Sequence, residues 1–448
     1  MAMLATELHT GDIPDTFRRF VAEIGAKHWR ARVRRIKQQT KGSRLLREYF
    51  AGENSIAFQL DHFSDLVDGR GAVPLSVVND PTSWPAAGFM RQVLSLIDAS
   101  STEVAERLRG RVRGALTDPA NMRGFQLELG VATHFLLLGR RILWPEVTGL
   151  GRFDLLVEGD SPEPMEVECK SIGEDKGRKV SRLGAVQFFE LLRPHLTAVS
   201  RGLATGLTIV VTVPDRFPVG HRERAQLARE VGWAVLAGSS CVLSDGVDVR
   251  LAEFDVSDLE QVPLGGREFR VAVDRATGAP NRSTAMIGTV AGGVLALVMQ
   301  SRRDDNFLDA TFDTLSEAAR TQLTGSRAGM LIAGFEGLTP RQLLSVAEDD
   351  NRSDQSPSAL RLAASQFLSS AARSHVVGVG FVSRSEARPA QSGIVPTGGT
   401  AYYFPKPNSS FWSERFRGMF NWAPLQEETA APSELILQPD WMPDSPPA

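Results

Sequence analysis

Gly151 to Lys170 reads GRFDLLVEGDSPEPMEVECK, and the organisation of the chain is best worked outward from it. Phe153 to Val157 is a short apolar run interrupted by one acid, Asp154, and Gly159-Asp160-Ser161-Pro162 behind it is turn chemistry. The chain then re-enters an extended run from Met165 to Ile172. Alternate side chains of a strand face opposite ways, so Glu166, Glu168 and Lys170 share one face and Met165, Val167 and Cys169 the other. The expectation is one buried face and one charged, wet face. A hairpin from the first run sets Asp154 beside Glu168 and Lys170, and carboxylates gathered there repel one another unless a cation joins them. Carboxylate oxygens at one point are what Mg²⁺ takes up while keeping several waters and a substrate phosphate. A lysine two residues on can hold the attacking water and offset charge in the transition state. An antiparallel strand with a wet side is the plain alternative.

Asp154, thirteen residues, then Glu168-Cys169-Lys170 resembles the PD-(D/E)xK phosphodiesterase superfamily, the restriction-endonuclease-like nucleases. That family's core runs helix, three strands, helix, strand. Here a helix is expected at Phe125–Leu138, strands near Ile142, Asp154 and Val167, a helix around Arg178–Leu196 and a strand at Leu207–Val213. The resemblance covers residues 116–238, about a quarter of the chain, and departs in that Phe153 stands where the family name has proline. It implies a Mg²⁺ (or Mn²⁺) site with Asp154 and Glu168 as ligands, the Cys169 carbonyl as a further ligand and Lys170 orienting water. Family helices at the place of RGFQLELGVATHFLLLGRR often carry a glutamate that completes the metal site, which brings in Glu128, and Gln187 on the following helix supports the site by the same resemblance.

The helical wheel bears on Glu128 independently. At 100° per residue, Gln126, Gly130, Thr133 and His134 fall on one side, whereas Glu128 lands between Ala132 and Phe135 in the apolar sector. A buried carboxylate is costly unless it is paired or binds metal. His134 reads as a surface residue, and Cys169, on the inward face of its strand, as a small core residue.

With 448 residues, of which 42% are hydrophobic, the chain has material for two or three cores. A formal net charge of −3 gives it no overall field for nucleic acid, so any such attraction is local. Two cysteines, Cys169 and Cys241, make no disulfide framework, which fits a reducing cytoplasm. No basic leader with an apolar core opens the sequence, and Ile287–Met299 is too short to cross a bilayer, so no membrane partner is expected.

Local basic stretches do occur. In KHWRARVRRIKQQTKGSRLLR, Lys27, Arg30, Arg34, Lys37, Lys41 and Arg44 recur at helical spacing, and Arg30, Arg34 and Lys37 are candidate phosphate contacts. The alternative is a solvated helix face docked through Trp29 and Ile36. After the motif, Lys176, Arg178, Lys179 and Arg182 stand close to the expected metal, where phosphate would need neutralising.

The fold class expected is a multidomain α/β protein. It comprises a helical N-terminal region with the basic stripe (1–115), a central restriction-endonuclease-like α-β-β-β-α-β domain (116–238), a C-terminal α/β domain of unknown role (239–425) and a flexible tail (426–448). Short strands are expected at 241–245, 247–255 and 268–273, followed by alternating helix and strand. Gly-Thr-Val-Ala-Gly-Gly at 288–293 lacks the Gly-Lys-Ser/Thr ending of a phosphate loop, and no His/Cys cluster has zinc spacing. The function expected is a divalent-metal-dependent nuclease acting on DNA ahead of RNA, in bacterial defence or repair by analogy. Its rivals are an inactive nucleic-acid- or partner-binding protein on the same fold and an RNase. A protein partner or homo-oligomer would use the C-terminal domain.

Overall fold

The computed structural model describes residues 4–158, 164–256, 271, 283–289, 291–352, 354–384, 388–390, 393–395 and 399–419. The expected turn at 159–162, the strand at 268–273 and the tail from 426 lie outside these, apart from Val271. The chain forms two compact units. The first takes the described parts of 1–38, 53–176 and 308–448, and the second those of 39–52 and 177–307.

The first unit opens with helices α1 (Ile13–Ile24), α2 (Lys27–Gln39), α3 (Arg44–Glu53, whose residues up to Gly52 belong to the second unit), α4 (Ser55–Arg70), α5 (Leu75–Val78), α6 (Trp84–Asp98) and α7 (Thr102–Ala115). In α1, Ile13, Phe17, Phe20 and Ile24 follow the helical repeat and all are buried. Phe20 meets Trp29 of α2 and Phe89 of α6, with ring centroids 5.9 and 6.1 Å away. The buried Trp29 Nε1 donates to Ser64 Oγ at 3.1 Å. Each such side chain contributes roughly 1.5–3 kcal/mol by leaving water, so this region is a cored helical layer.

Helix α8 (Pro119–Leu137) starts from Asp118, whose side chain accepts the Ala120 N–H, with proline at the first helical position. It packs on the sheet that follows: β1 (Arg141–Leu143), a short helix α9 (Pro145–Thr148), β2 (Leu155–Glu158) and β3 (Met165–Ile172). These strands are successively antiparallel, with Leu155 opposite Val167.

At Gly177 the chain enters the second unit: α10 (Arg182–Leu192), α11 (Thr197–Gly202), β4 (Gly206–Val213), α12 (His221–Leu236), β5 (Cys241–Val242), β6 (Asp248–Phe254), β7 (Ser283–Gly288) and β8 (Val294–Ser301). Its sheet runs β5-β6-β4-β8-β7, with β4 parallel to β8, over a core that includes Phe188, Leu192, Ile209, Val231 and Leu297. The two ends of the long 177–307 segment lie together: Asn306 N donates to Gly177 O at 3.1 Å, and Lys179 N to Asp305 Oδ1 at 2.8 Å. Gly177 sits at φ +71°, and a Cβ there would come within 2.7 Å of the Asn306 backbone, so glycine makes this close approach feasible. Such juxtaposed ends let a folded unit be inserted into another without breaking it.

Beyond the insert come α13 (Phe307–Thr321), β9 (Gly329–Phe335), α14 (Pro340–Asn351), α15 (Ala359–Ser369), β10 (Val376–Ser383), β11 (Arg388–Ala390), β12 (Gly393–Val395) and β13 (Ala401–Pro405). The first unit's sheet has the order β1-β2-β3-β9-β10-β13, with β9 parallel to both β3 and β10.

The protein is therefore a multidomain α/β molecule with a helical N-terminal region, consistent with a general restriction-endonuclease-like architecture. The layout corrects the sequence reading in four ways. The expected strand at Leu207–Val213 forms, but as β4 of the second sheet. The strand parallel to β3 is β9, and a continuous 116–238 domain is replaced by one interrupted after Lys176. The segment expected as a helix over 178–196 is helical only from Arg182, ends in a 3₁₀ turn and belongs to the inserted unit. Nor does 239–425 form one domain, because 239–307 belongs to the insert and the chain from Leu308 completes the first sheet. Strand pairing over such separations leaves no mark on local periodicity.

Candidate metal centre

The β2–β3 hairpin fixes the centre of the site. Asp154, immediately before β2, is buried, and its Oδ2 accepts the backbone N–H of Cys169 at 2.8 Å, which locks the carboxylate against β3. Glu168 is 1% exposed, and its Oε1 receives the Lys170 ammonium at 2.7 Å. Both stand on the face expected from strand alternation. The expected wet face is absent, however, since Glu166 on that face is wholly buried. Its carboxylate accepts Thr324 N at 2.8 Å and Thr324 Oγ1 at 2.6 Å and lies 3.3 Å from Arg327, all on the turn between α13 and β9. Glu166 thus serves as a structural tie, covered because β9 follows α13 directly beside β3.

Glu128 reaches the same place from α8. It is buried, and Arg111 of α7 donates to its Oε1 at 2.5 Å while standing 3.3 Å from the exposed Glu146 of α9 and 4.8 Å from the centre of the Phe125 ring. One carboxylate oxygen from each of Glu128, Glu146 and Asp154 lies within 4.8 Å of the others. That cluster could coordinate a divalent cation.

The electrostatics show what the arrangement lacks. Burial, and then the Asp154 charge, push the Glu128 carboxyl well above the ordinary range, with Arg111 opposing both. Burial lifts Asp154 to about 6 against the Cys169 N–H and the positive charges of Lys170 and Arg111. Glu168 rises to about 8, first through burial and then through Asp154, with Lys170 opposing. Like charges in a dry site titrate as a group, each making the next harder to ionise. Glu128 Oε2 and Glu168 Oε2 are moreover buried with no hydrogen-bond partner among the described residues. Orphaned buried carboxylate oxygens are costly, and hard oxygen donors of this kind suit Mg²⁺ or Mn²⁺. The residues present fit such an ion.

The other expected residues are placed differently. The Cys169 thiol is buried, and burial pushes its pKa up, away from nucleophilic chemistry. Gln187 lies on α10, inside the inserted unit. Lys176 closes a stretch of the first unit, while Arg178, Lys179 and Arg182 belong to the second, where the Arg182 guanidinium lies 5.5 Å from the Tyr49 ring centre. The expected basic stripe does not run on one helix, because α2 stops at Gln39, Lys41 lies beyond it and Arg44 begins α3. Two of its candidates are occupied within the chain: Arg30 pairs with Asp68 at 2.6 Å and Lys37 with Asp61 at 3.0 Å, whereas Arg34 is exposed without an ion pair among the described residues. His134, expected at the surface, has both ring nitrogens buried and its ring packed near Phe135 and Tyr403; burial lowers its pKa to about 4. Helix α8 packs on both flanks, so its polar stripe did not mark a wet side.

Glu146 and Arg111 are the site residues that sequence reasoning missed. Glu146 opens a one-turn helix behind Pro145, and Arg111 is one of four arginines in α7; neither position carries a periodic signal. The one hint in the sequence is that Glu146 is the only acid between Arg141 and Asp154.

No family model, curated protein or solved structure matches the chain. No described helix is long and apolar enough to cross a membrane.

Proposed function

We propose that the protein is a divalent-metal-dependent phosphodiesterase of the PD-(D/E)xK kind, acting on nucleic acid and on DNA in the first instance. The observation that carries the reading is the meeting of one carboxylate oxygen each from Glu128, Glu146 and Asp154 within 4.8 Å of one another, with Lys170 paired to Glu168 on β3 and the Oε2 atoms of Glu128 and Glu168 buried without a hydrogen-bond partner among the described residues. The connectivity supports it. Helix α8, antiparallel β1–β2–β3, then α13 and the parallel strand β9 reproduce a helix, three strands, helix, strand order once the 177–307 insert is set aside.

In this reading Asp154, Glu168, Glu128 and Glu146 hold Mg²⁺ or Mn²⁺, with the Cys169 carbonyl as a further donor. The ion supplies Lewis-acid polarisation of a phosphoryl oxygen and a more acidic water. The chain's own residues do the rest. Asp154 is oriented by the Cys169 N–H, so its lone pairs are preorganised rather than recruited. Lys170, tied to Glu168, presents its remaining N–H donors to the attacking water or to the oxygens on which charge develops. Arg111 holds Glu128 in place and limits the repulsion among the acids.

The test is incubation with linear, circular and single-stranded DNA and with RNA, with and without Mg²⁺ or Mn²⁺. Metal-dependent cleavage that disappears in Asp154→Ala and Lys170→Ala supports the proposal, and cleavage that persists in either variant refutes it.

A further inference from the structure

The expected basic stripe of α2 is partly neutralised by Asp61 and Asp68 of α4, so a grip on a polyanion has to be sought elsewhere. The inserted unit offers a better surface. Its segments carry 19 Lys and Arg against 15 Asp and Glu, a net charge of +4 within a chain of net charge −3. On α12, Arg222, Gln226, Arg229, Trp233 and Leu236 recur at i, i+4, i+7, i+11 and i+14, which places them within about 40° of one helical line. All five are exposed, whereas Leu227, Ala228, Val231 and Val235 on the opposite side are buried in the unit's core. Neither Arg222 nor Arg229 has an ion pair among the described residues. Trp233 is 67% exposed, unusual for the largest side chain, which is mostly buried on average.

We infer that the exposed Arg222–Arg229–Trp233 face of α12 binds single-stranded nucleic acid, the arginines tracking phosphates and the indole stacking on an unpaired base. The chemistry selects this occupant. Two unneutralised guanidinium groups about 10 Å apart along the helix seek separated negative charges. An indole about 6 Å further along the same line supplies a stacking plane that any base can use once it is out of a duplex. The face needs no cation and so stands apart from the hydrolytic reading. Were both correct, it would favour substrates with single-stranded segments.

The test uses the full-length chain in EDTA, where cleavage cannot intervene, with fluorescein-labelled 20-mers of oligo(dT) and oligo(U) and a 20-base-pair duplex, read by anisotropy. Wild type should bind the single strands more tightly than the duplex. Trp233→Ala should weaken single-strand binding about 5- to 150-fold, the range expected for losing one stacked base, with less effect on the duplex. Arg222→Gln with Arg229→Gln should lower the log–log salt slope by roughly one to two units. These side chains are exposed, so the variants should fold, and unchanged circular dichroism checks this. Binding is read without metal, whereas the hydrolytic reading is tested by metal-dependent cleavage, so failure of this inference and failure of the metal site are distinguishable. Equal binding of single strands and duplex, or single-strand binding unmoved in Trp233→Ala, overturns the inference. So does a wild-type dimer that Trp233→Ala converts to monomer without altering oligonucleotide binding, since the face would then be an interface between copies of the chain.

Discussion

Replacing Arg111 by methionine, which keeps much of the aliphatic stem and deletes the charge, isolates the electrostatics of the acidic cluster. Arg111 is the cation closest to Glu128, at 2.5 Å, and its side chain is only 27% exposed, so solvent screening is weak. Breaking a buried pair from one side costs about 3–5 kcal/mol when the remaining charge stays ionised. Glu128 can instead take up a proton, and the cost of holding an ordinary glutamate, pKa about 4.3, neutral at pH 7.5 is about 4 kcal/mol at 1.36 kcal/mol per pH unit. At pH 5 the same cost is about 1 kcal/mol. Burial already lifts the Glu128 carboxyl well above the ordinary range with Arg111 in place, so part of that cost is present in the wild type. The expected loss is therefore about 1–3 kcal/mol at pH 7.5, shrinking to about 1 kcal/mol or less at pH 5. The assay is urea unfolding in EDTA at the two pH values, followed by far-UV circular dichroism. Adding Glu128→Gln to Arg111→Met should recover most of the loss, because the stranded charge is then gone. Wild-type stability at pH 7.5 in Arg111→Met would show that Arg111 does not hold Glu128 ionised. A loss equal at both pH values would assign its role to packing on Phe125.

The raised carboxyls of Asp154 and Glu168 predict that the metal-free protein loses stability as pH rises from about 4 to 8. The unfolded chain releases these protons first, so folding is favoured below the ordinary carboxylate range and increasingly opposed up to the folded values near 6 and 8. Saturating Mg²⁺ should flatten this decline by binding the ionised form, with thermal melts at pH 5 and 8 as the check; a metal-free melt insensitive to pH would contradict the cluster's electrostatics. Glu128→Gln keeps shape and removes one negative charge, and should raise the metal concentration needed for half-maximal cleavage and shrink the metal-induced rise in melting temperature; an unchanged titration would exclude it as a ligand. Glu166→Ala should cost about 2–4 kcal/mol through the lost Thr324 and Arg327 contacts while leaving metal affinity near wild type, and reduced metal affinity at intact stability would show that Glu166 is no mere tie. Because Arg30 and Lys37 already have acid partners, changing Arg30, Arg34 and Lys37 together to glutamine should lower the salt slope of nucleic-acid binding by about one unit rather than three; a fall near three would restore α2 as a phosphate-tracking face.

The sequence by itself determined the local parts of the site. Alternation over Met165–Lys170 marks β3, places Glu168 and Lys170 on one face, and with the short apolar run after Asp154 implies the hairpin. An acid inside the apolar sector of α8 was enough to direct Glu128 inward. These inferences hold because side-chain direction within one element follows its own period. Everything that depends on which elements meet was decided by the tertiary structure. Leu207–Val213 and Gly329–Phe335 are both short apolar strands, and nothing within either tells which one lies beside β3. Closure of the 177–307 insert at Gly177 and Asn306 lets the distant one take that place. The same holds for single residues: Glu166 is dry because a turn from beyond the insert covers it, His134 because α8 is packed on both flanks, and Arg30 and Lys37 are neutralised by acids of another helix. Glu146 and Arg111 join the cluster from α9 and α7 only when those helices pack beside α8 and β2, a long-range event with no local periodicity to announce it.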